Sequence, residues 1–296
     1  MNVLITGSDG QLGTKFKEAV ETISEHNNLN FKPFYTTSKT LDITDEIGIN
    51  KFVRENEIDI ILNLAAYTNV DMAEEDPDKA ILINSNACRY LANAIKTRGG
   101  YLIHISTDYV FNGETPIPRK PDDETSPIGV YGYSKLCGEK EIQKSNCHYL
   151  IFRTSWLYSN IKRNFVKDMY ERIKAGMPLN VVYDQVGSPT NAEEFAVFLY
   201  NLINCELFKR NDGIYHFTNL GVTSWYDLTM EIAYSAHEFV NAKFIKPCLS
   251  VQYPNTAKRP HYSVLDVSKT IETFGYTPMH WKIALEKTIY QLKNKE

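Results

Sequence analysis

The opening stretch Met1-Asn2-Val3-Leu4-Ile5-Thr6-Gly7, running directly into Ser8-Asp9-Gly10-Gln11-Leu12-Gly13, constrains this chain more than any other segment. A short apolar strand enters a turn with glycines at 7, 10 and 13, and an amphipathic stretch follows from Gln11 to Ile23. Glycines so placed permit a tight turn, close approach of backbone to a pyrophosphate, and close packing of helix on strand. Unpaired N–H groups and the dipole at the start of the helix favour an anion there. The pattern Gly-x-x-Gly-x-x-Gly is weak alone; strand before and helix after give it meaning. The alternative is a glycine turn that binds nothing.

The rest of the first half alternates in the same way. Phe31 to Thr37, Ile58 to Leu64, Tyr101 to Ser106 and Tyr149 to Thr154 read as strands. Between them lie helical patterns over Asp45 to Glu55, through Ala80, Leu91 and Ile95, and around Tyr131 to Ile142. Near-continuous apolar strands alternating with helices predict an α/β fold with a doubly wound, mostly parallel Rossmann-like sheet covered on both faces. Helical patterns at Asn164 to Ala175, Ala192 to Asn204, Trp225 to Phe239 and Trp281 to Lys293 follow. They suggest a dinucleotide-binding domain over residues 1–155 and a smaller substrate-binding lobe over 156–296, with segments that interleave with the sheet.

Composition narrows the class of function. The 296 residues carry 32 Lys and Arg against 36 Asp and Glu, a net charge of −4, and 43% are hydrophobic. That is too much apolar surface for a disordered chain and the wrong charge for non-specific binding of phosphate backbones. No apolar run approaches the roughly 20 residues that span a bilayer. The N-terminus lacks the basic and apolar regions of a signal peptide. Five cysteines, Cys88, Cys137, Cys147, Cys205 and Cys248, are odd in number and widely spaced, as scattered thiols in a reducing compartment would be. The expectation is a cytoplasmic protein with no nucleic-acid or membrane partner.

The residues that carry chemistry lie downstream. Tyr131 and Lys135 stand at i and i+4, on one face of the predicted helix. An ammonium held near the phenol would lower its pKa from about 10, and such a tyrosine exchanges a proton with a carbonyl oxygen as hydride arrives at the carbon. Upstream, the fourth strand ends in Ser106-Thr107-Asp108-Tyr109, at the edge where open α/β sheets bind ligands. A hydroxyl there would polarise the same carbonyl, or else satisfy backbone groups at the strand end. After the second strand stands no acidic residue to hold an adenosine ribose, while Lys39 offers either a phosphate contact or a solvated loop charge. NADPH is therefore the expected cofactor, with NADH tolerated.

Glycine loop, strand-end Ser-Thr and Tyr-x-x-x-Lys, in this order, resemble the extended short-chain dehydrogenase/reductase superfamily, and within it the dTDP-4-dehydrorhamnose reductase family. The likeness covers almost the whole chain and includes Gly10-Gln11-Leu12-Gly13, Ser106 to Phe111, and Ser155-Trp156-Leu157-Tyr158. It implies Thr107, Tyr131 and Lys135 as catalytic residues, with Tyr131 the acid and Lys135 also holding the nicotinamide ribose. It further implies that Gly7, Gly10, Gln11, Leu12 and Gly13 cradle phosphate, that Asp42 and Ile43 flank adenine, and that Ala65, Ala66 and Tyr67 line the cofactor. Thr68, Val70, Thr107, Asp108, Tyr109, Trp156 and Asn164 would touch a dTDP-linked keto-deoxy-sugar. Asp42 is equally placed to cap the following helix. Trp156 reads also as lobe core. Gln185 and Arg259 either reach the nucleotide or brace loops.

The implied activity is NAD(P)H-dependent reduction of the 4-keto group of dTDP-4-dehydro-L-rhamnose, a step towards cell-surface polysaccharide. Another nucleotide 4-keto-6-deoxy sugar, or a non-catalytic cofactor-binding regulatory subunit, is the alternative. A 4,6-dehydratase is disfavoured, because the second carboxylate that the resembling dehydratases carry is replaced by Tyr109. Some members of the reductase family bridge two subunits through magnesium held by carboxylates, one of them early in the first helix. Here that stretch carries Lys15 and Lys17, although Glu193 and Glu194 are present. Ammonium groups repel a cation that needs hard oxygen ligands, so no metal is expected and the chain is read as monomer or homodimer.

Overall fold

The computed structural model describes residues 1–26, 28–253 and 256–294. Its centre is a six-stranded sheet made of β1 (Asn2–Thr6), β2 (Lys32–Tyr35), β3 (Ile60–Asn63), β4 (Tyr101–Thr107), β5 (His148–Thr154) and the edge strand Gly213–His216. The spatial order is Gly213–His216, β5, β4, β3, β1, β2, and every neighbouring pair is parallel. The order turns back between β1 and β3, and a crevice opens beyond the carboxyl ends of strands at such a reversal. This is the doubly wound, Rossmann-like α/β fold that the alternating pattern predicts.

Successive residues of a strand face opposite sides, and both sides here are buried. Val3 and Ile5 of β1 pack in one core with Phe16, Phe195 and Leu199, whereas Leu4 joins Ile49, Leu91, Ile95 and Ile142 in another. The first core lies under α1 (Gln11–Ser24) and α8 (Ala192–Asn204), and the second under α2 (Glu46–Glu55), α5 (Ala87–Lys96) and α6 (Val130–Ser145). The chain beyond residue 155 therefore returns to the sheet, through α8, through the strand Gly213–His216 and again through Phe274. Other apolar residues of this half, among them Val166, Ile173, Leu228, Ile232, Leu285 and Ile289, form a separate core for the lobe, which includes α7 (Phe165–Lys174) and α9 (Trp225–Ser235).

Two helical patterns are broken in the structure. The one through Ala80, Leu91 and Ile95 is divided into α3 (Val70–Glu75), α4 (Pro77–Ile81), a π-turn over Leu82–Asn86, and α5. Asp76 caps α4 through the Lys79 N–H, with Pro77 at the first helical position where its missing donor costs nothing. The π-turn aims Asn84 inwards, where its amide pairs with both the N–H and the carbonyl of Tyr67 and donates to Ser134 Oγ at 2.9 Å. The second pattern, Trp225 to Phe239, stops at Ser235, because His237 adopts a left-handed φ of 62° and turns the chain into the short helix Phe239–Ala242. Among the described residues no helix is long and apolar enough to cross a membrane.

Candidate active site

The crevice at the carboxyl ends of the strands has a volume of about 1170 Å³, beyond the ~300–1,000 Å³ usual for one small ligand. Its floor begins at the glycine turn. Gly7 has φ +63°, and a Cβ on it would stand 2.7 Å from the Ala65 nitrogen. A Cβ on Gly13 would stand 2.3 Å from the Gly7 carbonyl oxygen, so this glycine is needed for helix–turn packing and not for lining the crevice. Gly10 is the N-cap of α1 and supplies no side-chain hydrogen bond, which leaves N–H groups of the first turn open to an anion. Gly7, Gly10, Gln11 and Leu12 line this end of the crevice, and Gln11 Oε1 accepts from Ser159 Oγ of the lobe at 2.8 Å. A bare helix start behind a turn too tight for side chains at Gly7 and Gly13 fits a dinucleotide pyrophosphate.

Beyond β2 the wall is made by Thr37, Ser38, Leu41, Asp42 and Ile43, and Lys39 is not part of it. The cap of α2 is Asp45, which accepts from the Ile47 N–H, so the capping alternative for Asp42 is excluded. Asp42 instead closes a tight turn, accepting from Thr44 N at 2.8 Å and Thr44 Oγ1 at 2.7 Å, and still borders the crevice. Ala65 and Ala66 line the middle. Tyr67 does not: Asn84 holds its backbone, and Lys79 lies 5.8 Å over its ring.

At the far end Thr107, Asp108, Tyr109, Tyr131 and Lys135 share one wall. The helix that delivers the last two is held at its start from elsewhere in the chain, since the Val130 N–H donates to Glu74 Oε1 on α3 at 2.8 Å. A carboxylate on an otherwise uncapped helix start satisfies both a free donor and the dipole. Tyr131 packs edge-on against Tyr109, with ring centroids 5.5 Å apart. Thr107 Oγ1 donates to Asp108 Oδ1 at 3.0 Å and accepts from the Tyr109 N–H.

The structure corrects two expectations here. Burial pushes the Tyr131 phenol up to about 12, with Thr107 opposing and Asp108 adding to the rise. Lys135 does not pull it down, because its ammonium is anchored elsewhere, 2.7 Å from the Ile105 carbonyl oxygen and 3.2 Å from His104 Nε2. The phenol is thus held in its protonated form. Ser106, in turn, points its hydroxyl away from any carbonyl in the crevice and donates to Glu139 Oε1 at 2.5 Å. Glu139 takes both Nε and Nη2 of Arg153 at 3.0 and 2.7 Å, a buried pair beneath the site. Burial also pushes the Asp108 carboxyl up to about 7, against the opposing pull of the Ser263 and Thr107 hydroxyls.

The lobe closes the opposite side. Trp156 adopts a left-handed φ of 47°, which is costly for a bulky residue, and its indole stacks on Trp225 with centroids 3.5 Å apart. Both rings border the crevice and both pack on the lobe core. Thr68, Val70 and Asn164 also border it, although the Asn164 side chain caps α7 and holds the Ser159 carbonyl at 2.8 Å. Arg259 reaches the crevice, ion-paired with Asp71 at 3.1 Å, with its Nε unpartnered, while Gln185 is buried away from it. Trp225, Phe165 and Lys162 are wall residues with no motif to announce them. Lys15 is buried and pairs with Glu18 at 2.6 Å, and Glu194 bonds the Met279 N–H. Among the described residues no cluster of three His, Cys, Asp or Glu is placed to hold a metal.

The chain is similar to known proteins over nearly its whole length. The dTDP-4-dehydrorhamnose reductase of Escherichia coli K12 is 36% identical over 296 residues, covering 99% of this chain and 98% of its own. A crystal structure of a dTDP-4-dehydrorhamnose reductase from Clostridium acetobutylicum superposes with a TM-score of 0.90 at 37% identity, covering 99% of this chain and all of the other. The dTDP-4-dehydrorhamnose reductase of Bacillus anthracis, solved in complex with NADP, superposes at 0.88 with 35% identity, covering 98% and 99%. The chain belongs to the RmlD substrate binding domain family, whose model matches residues 1–294.

Proposed function

We propose that the chain is an NADPH-dependent oxidoreductase that reduces the 4-keto group of dTDP-4-dehydro-L-rhamnose to the alcohol of dTDP-L-rhamnose. The observation that carries this reading is the convergence of the buried Tyr131 phenol and the Thr107 hydroxyl on one crevice with the uncapped start of α1. NADPH, when bound, supplies the hydride. The chain's own part is to orient and protonate. Gly7, Gly10, Gln11 and Leu12 take the pyrophosphate, with Gly13 packing the turn. Asp42 and Ile43 lie at the adenine, and Ala65 and Ala66 shape the middle, with Tyr67 held behind them by Asn84. Tyr131 gives its proton to the sugar oxygen, Thr107 polarises that oxygen, and Lys135 holds the nicotinamide ribose. Thr68, Val70, Asp108, Tyr109, Trp156 and Asn164 hold the sugar nucleotide, with Arg259 aimed at its phosphates.

In this reading residues 1–155 are the cofactor domain and 156–296 the substrate lobe, with α8 and Gly213–His216 lent back to the sheet. The enzyme works in the cytoplasm as a monomer or homodimer, on a small molecule and without nucleic acid. Oxidation of NADPH that depends on dTDP-4-dehydro-L-rhamnose is the direct test. Tyr131→Phe keeps the ring and loses the proton, so kcat should fall by roughly 10²–10⁴, with NADPH affinity retained. Near-normal turnover of that variant would refute the assignment.

A further inference from the structure

Beneath Lys135 lies a chain of buried polar groups that the reaction as described does not use. His104, on β4 and fully buried, presents Nε2 to Lys135 Nζ at 3.2 Å and Nδ1 to Asn63 Nδ2 at 3.0 Å. Asn63 Oδ1, on the other side, accepts from Thr6 Oγ1 at 2.6 Å. With this amide orientation both ring nitrogens of His104 face donors, and a neutral imidazole has only one acceptor nitrogen. One neighbour must therefore give way.

Two proton arrangements satisfy the same heavy-atom positions. In the first, the Asn63 amide is turned over, so that its oxygen accepts from His104 Nδ1–H and its nitrogen donates to the Thr6 hydroxyl. Nε2 then accepts from a Lys135 ammonium. In the second, the Asn63 NH₂ donates to Nδ1, the ring proton sits on Nε2, and Nε2–H donates to Lys135 as a neutral amine. The second holds one proton fewer, the one that has left Lys135.

We propose that His104 is the positioning residue of Lys135, and that its imidazole changes tautomer with the protonation state of that amine. Each form of Lys135 then has a buried partner, so neither is left with the penalty of an unmatched polar group. The Ile105 carbonyl, at 2.7 Å, fixes where the nitrogen sits and serves as acceptor in both states. The other titratable groups facing the pair are Cys88 on α5, whose Sγ lies 3.9 Å from both ring nitrogens, and Glu139 on α6, held by Arg153 of β5. Burial pushes the Cys88 thiol up to about 11, and burial with the Lys135 charge holds His104 well below the usual imidazole range. Both therefore stay neutral while Lys135 titrates. The proposal rests on Lys135 being part of the active site.

The test reads the protein first without cofactor or sugar. With ¹⁵N in the rings of the seven histidines, ring-nitrogen shifts distinguish the tautomers, and His104→Gln identifies the His104 signals. In the wild type these should pass from the Nδ1–H to the Nε2–H pattern on raising pH from about 6 to about 10, and in Lys135→Met they should not move. A single tautomer throughout in the wild type, or the same change in Lys135→Met, overturns the proposal. In turnover, His104→Phe removes the acceptor for the ammonium. Its kcat should drop at least about tenfold and its alkaline limb move down by about one pH unit, while His104→Gln, whose amide offers either partner, recovers both. An unchanged pH profile in His104→Phe counts against it. Absence of reductase turnover in the wild type would sink the functional reading alone, and the tautomer titration would still decide this one.

Discussion

Replacing Glu139 by Ala tests whether the buried cluster beneath the crevice holds the strand and helix that line it in register. Glu139 follows Lys135 by one turn of α6, and its Oε1 accepts from Ser106, the residue before Thr107. Its two oxygens also grip Arg153 of β5, whose remaining Nη1 donates to the Pro121 carbonyl at 3.0 Å in the loop leading to α6. The relative exposures are 1% for Glu139 and 2% for Arg153, so water cannot take over the lost partner. Removing one member of such a pair leaves an uncompensated buried charge, and about 3–5 kcal/mol of stability should go with it. Urea unfolding, with unchanged slope and a lowered midpoint, measures the loss. The double variant Glu139→Leu, Arg153→Met removes both charges and should lie well above the sum of the single losses. Because β4 and α6, which carry Thr107 and Lys135, lose the Ser106–Glu139 bond between them, kcat should fall even where the variant remains folded. A loss below about 1 kcal/mol, or additivity in the double variant, would refute the reasoning.

Three further outcomes are expected. A Cβ at Gly187 would stand 2.7 Å from Trp156 Cε2 and 2.9 Å from Cζ2, so Gly187→Ala should raise KM for the sugar nucleotide about tenfold, or 1.4 kcal/mol, and leave NADPH affinity unchanged; equal effects on both ligands would remove Trp156 from the sugar side. With the Asp108 carboxyl pushed up to about 7, the folded protein keeps a proton that the unfolded chain releases above about pH 4, and stability falls with rising pH at up to about 1.4 kcal/mol per unit until about pH 7. Asp108→Asn should therefore gain on the wild type across that window in urea midpoints, and parallel curves would dismiss the effect. Chelation with EDTA should leave turnover unaltered, and inactivation reversed by added magnesium would show that a metal is required.

Much of the fold is written locally. The strand, glycine turn and helix at residues 2–24 follow from steric freedom at Gly7, from the missing Cβ at Gly13, and from a continuous apolar run that gives way to a 3.6 period. The helices Ala192–Asn204 and Trp281–Lys293 fall where their patterns begin and end. The division of the long helix through Ala80 into α3, α4, a π-turn and α5 was not legible, because a π-turn is kept by tertiary bonds, here those of Asn84 to Tyr67 and Ser134. The destination of α8 and Gly213–His216 was likewise hidden. An apolar helix states that it will be buried, and only the competing surfaces decide against what.

The same division runs through the site. Spacing puts Tyr131 and Lys135 on one helix face, and the strand-end position of Thr107 puts its hydroxyl at the ligand-binding edge. What those groups then do depends on distant partners: His104 and Ile105 for Lys135, Glu139 for Ser106, Glu74 for the start of α6, Trp225 for Trp156. The chain by itself determined the parallel sheet, the glycine turn at the start of α1 and the order of the residue types that line the crevice, all consequences of backbone sterics and near-neighbour periodicity. The tertiary structure alone decided that Tyr131 is raised towards 12 instead of lowered, because desolvation sums over every atom packed around a group, and that sum has no expression in the spacing of residues along a chain.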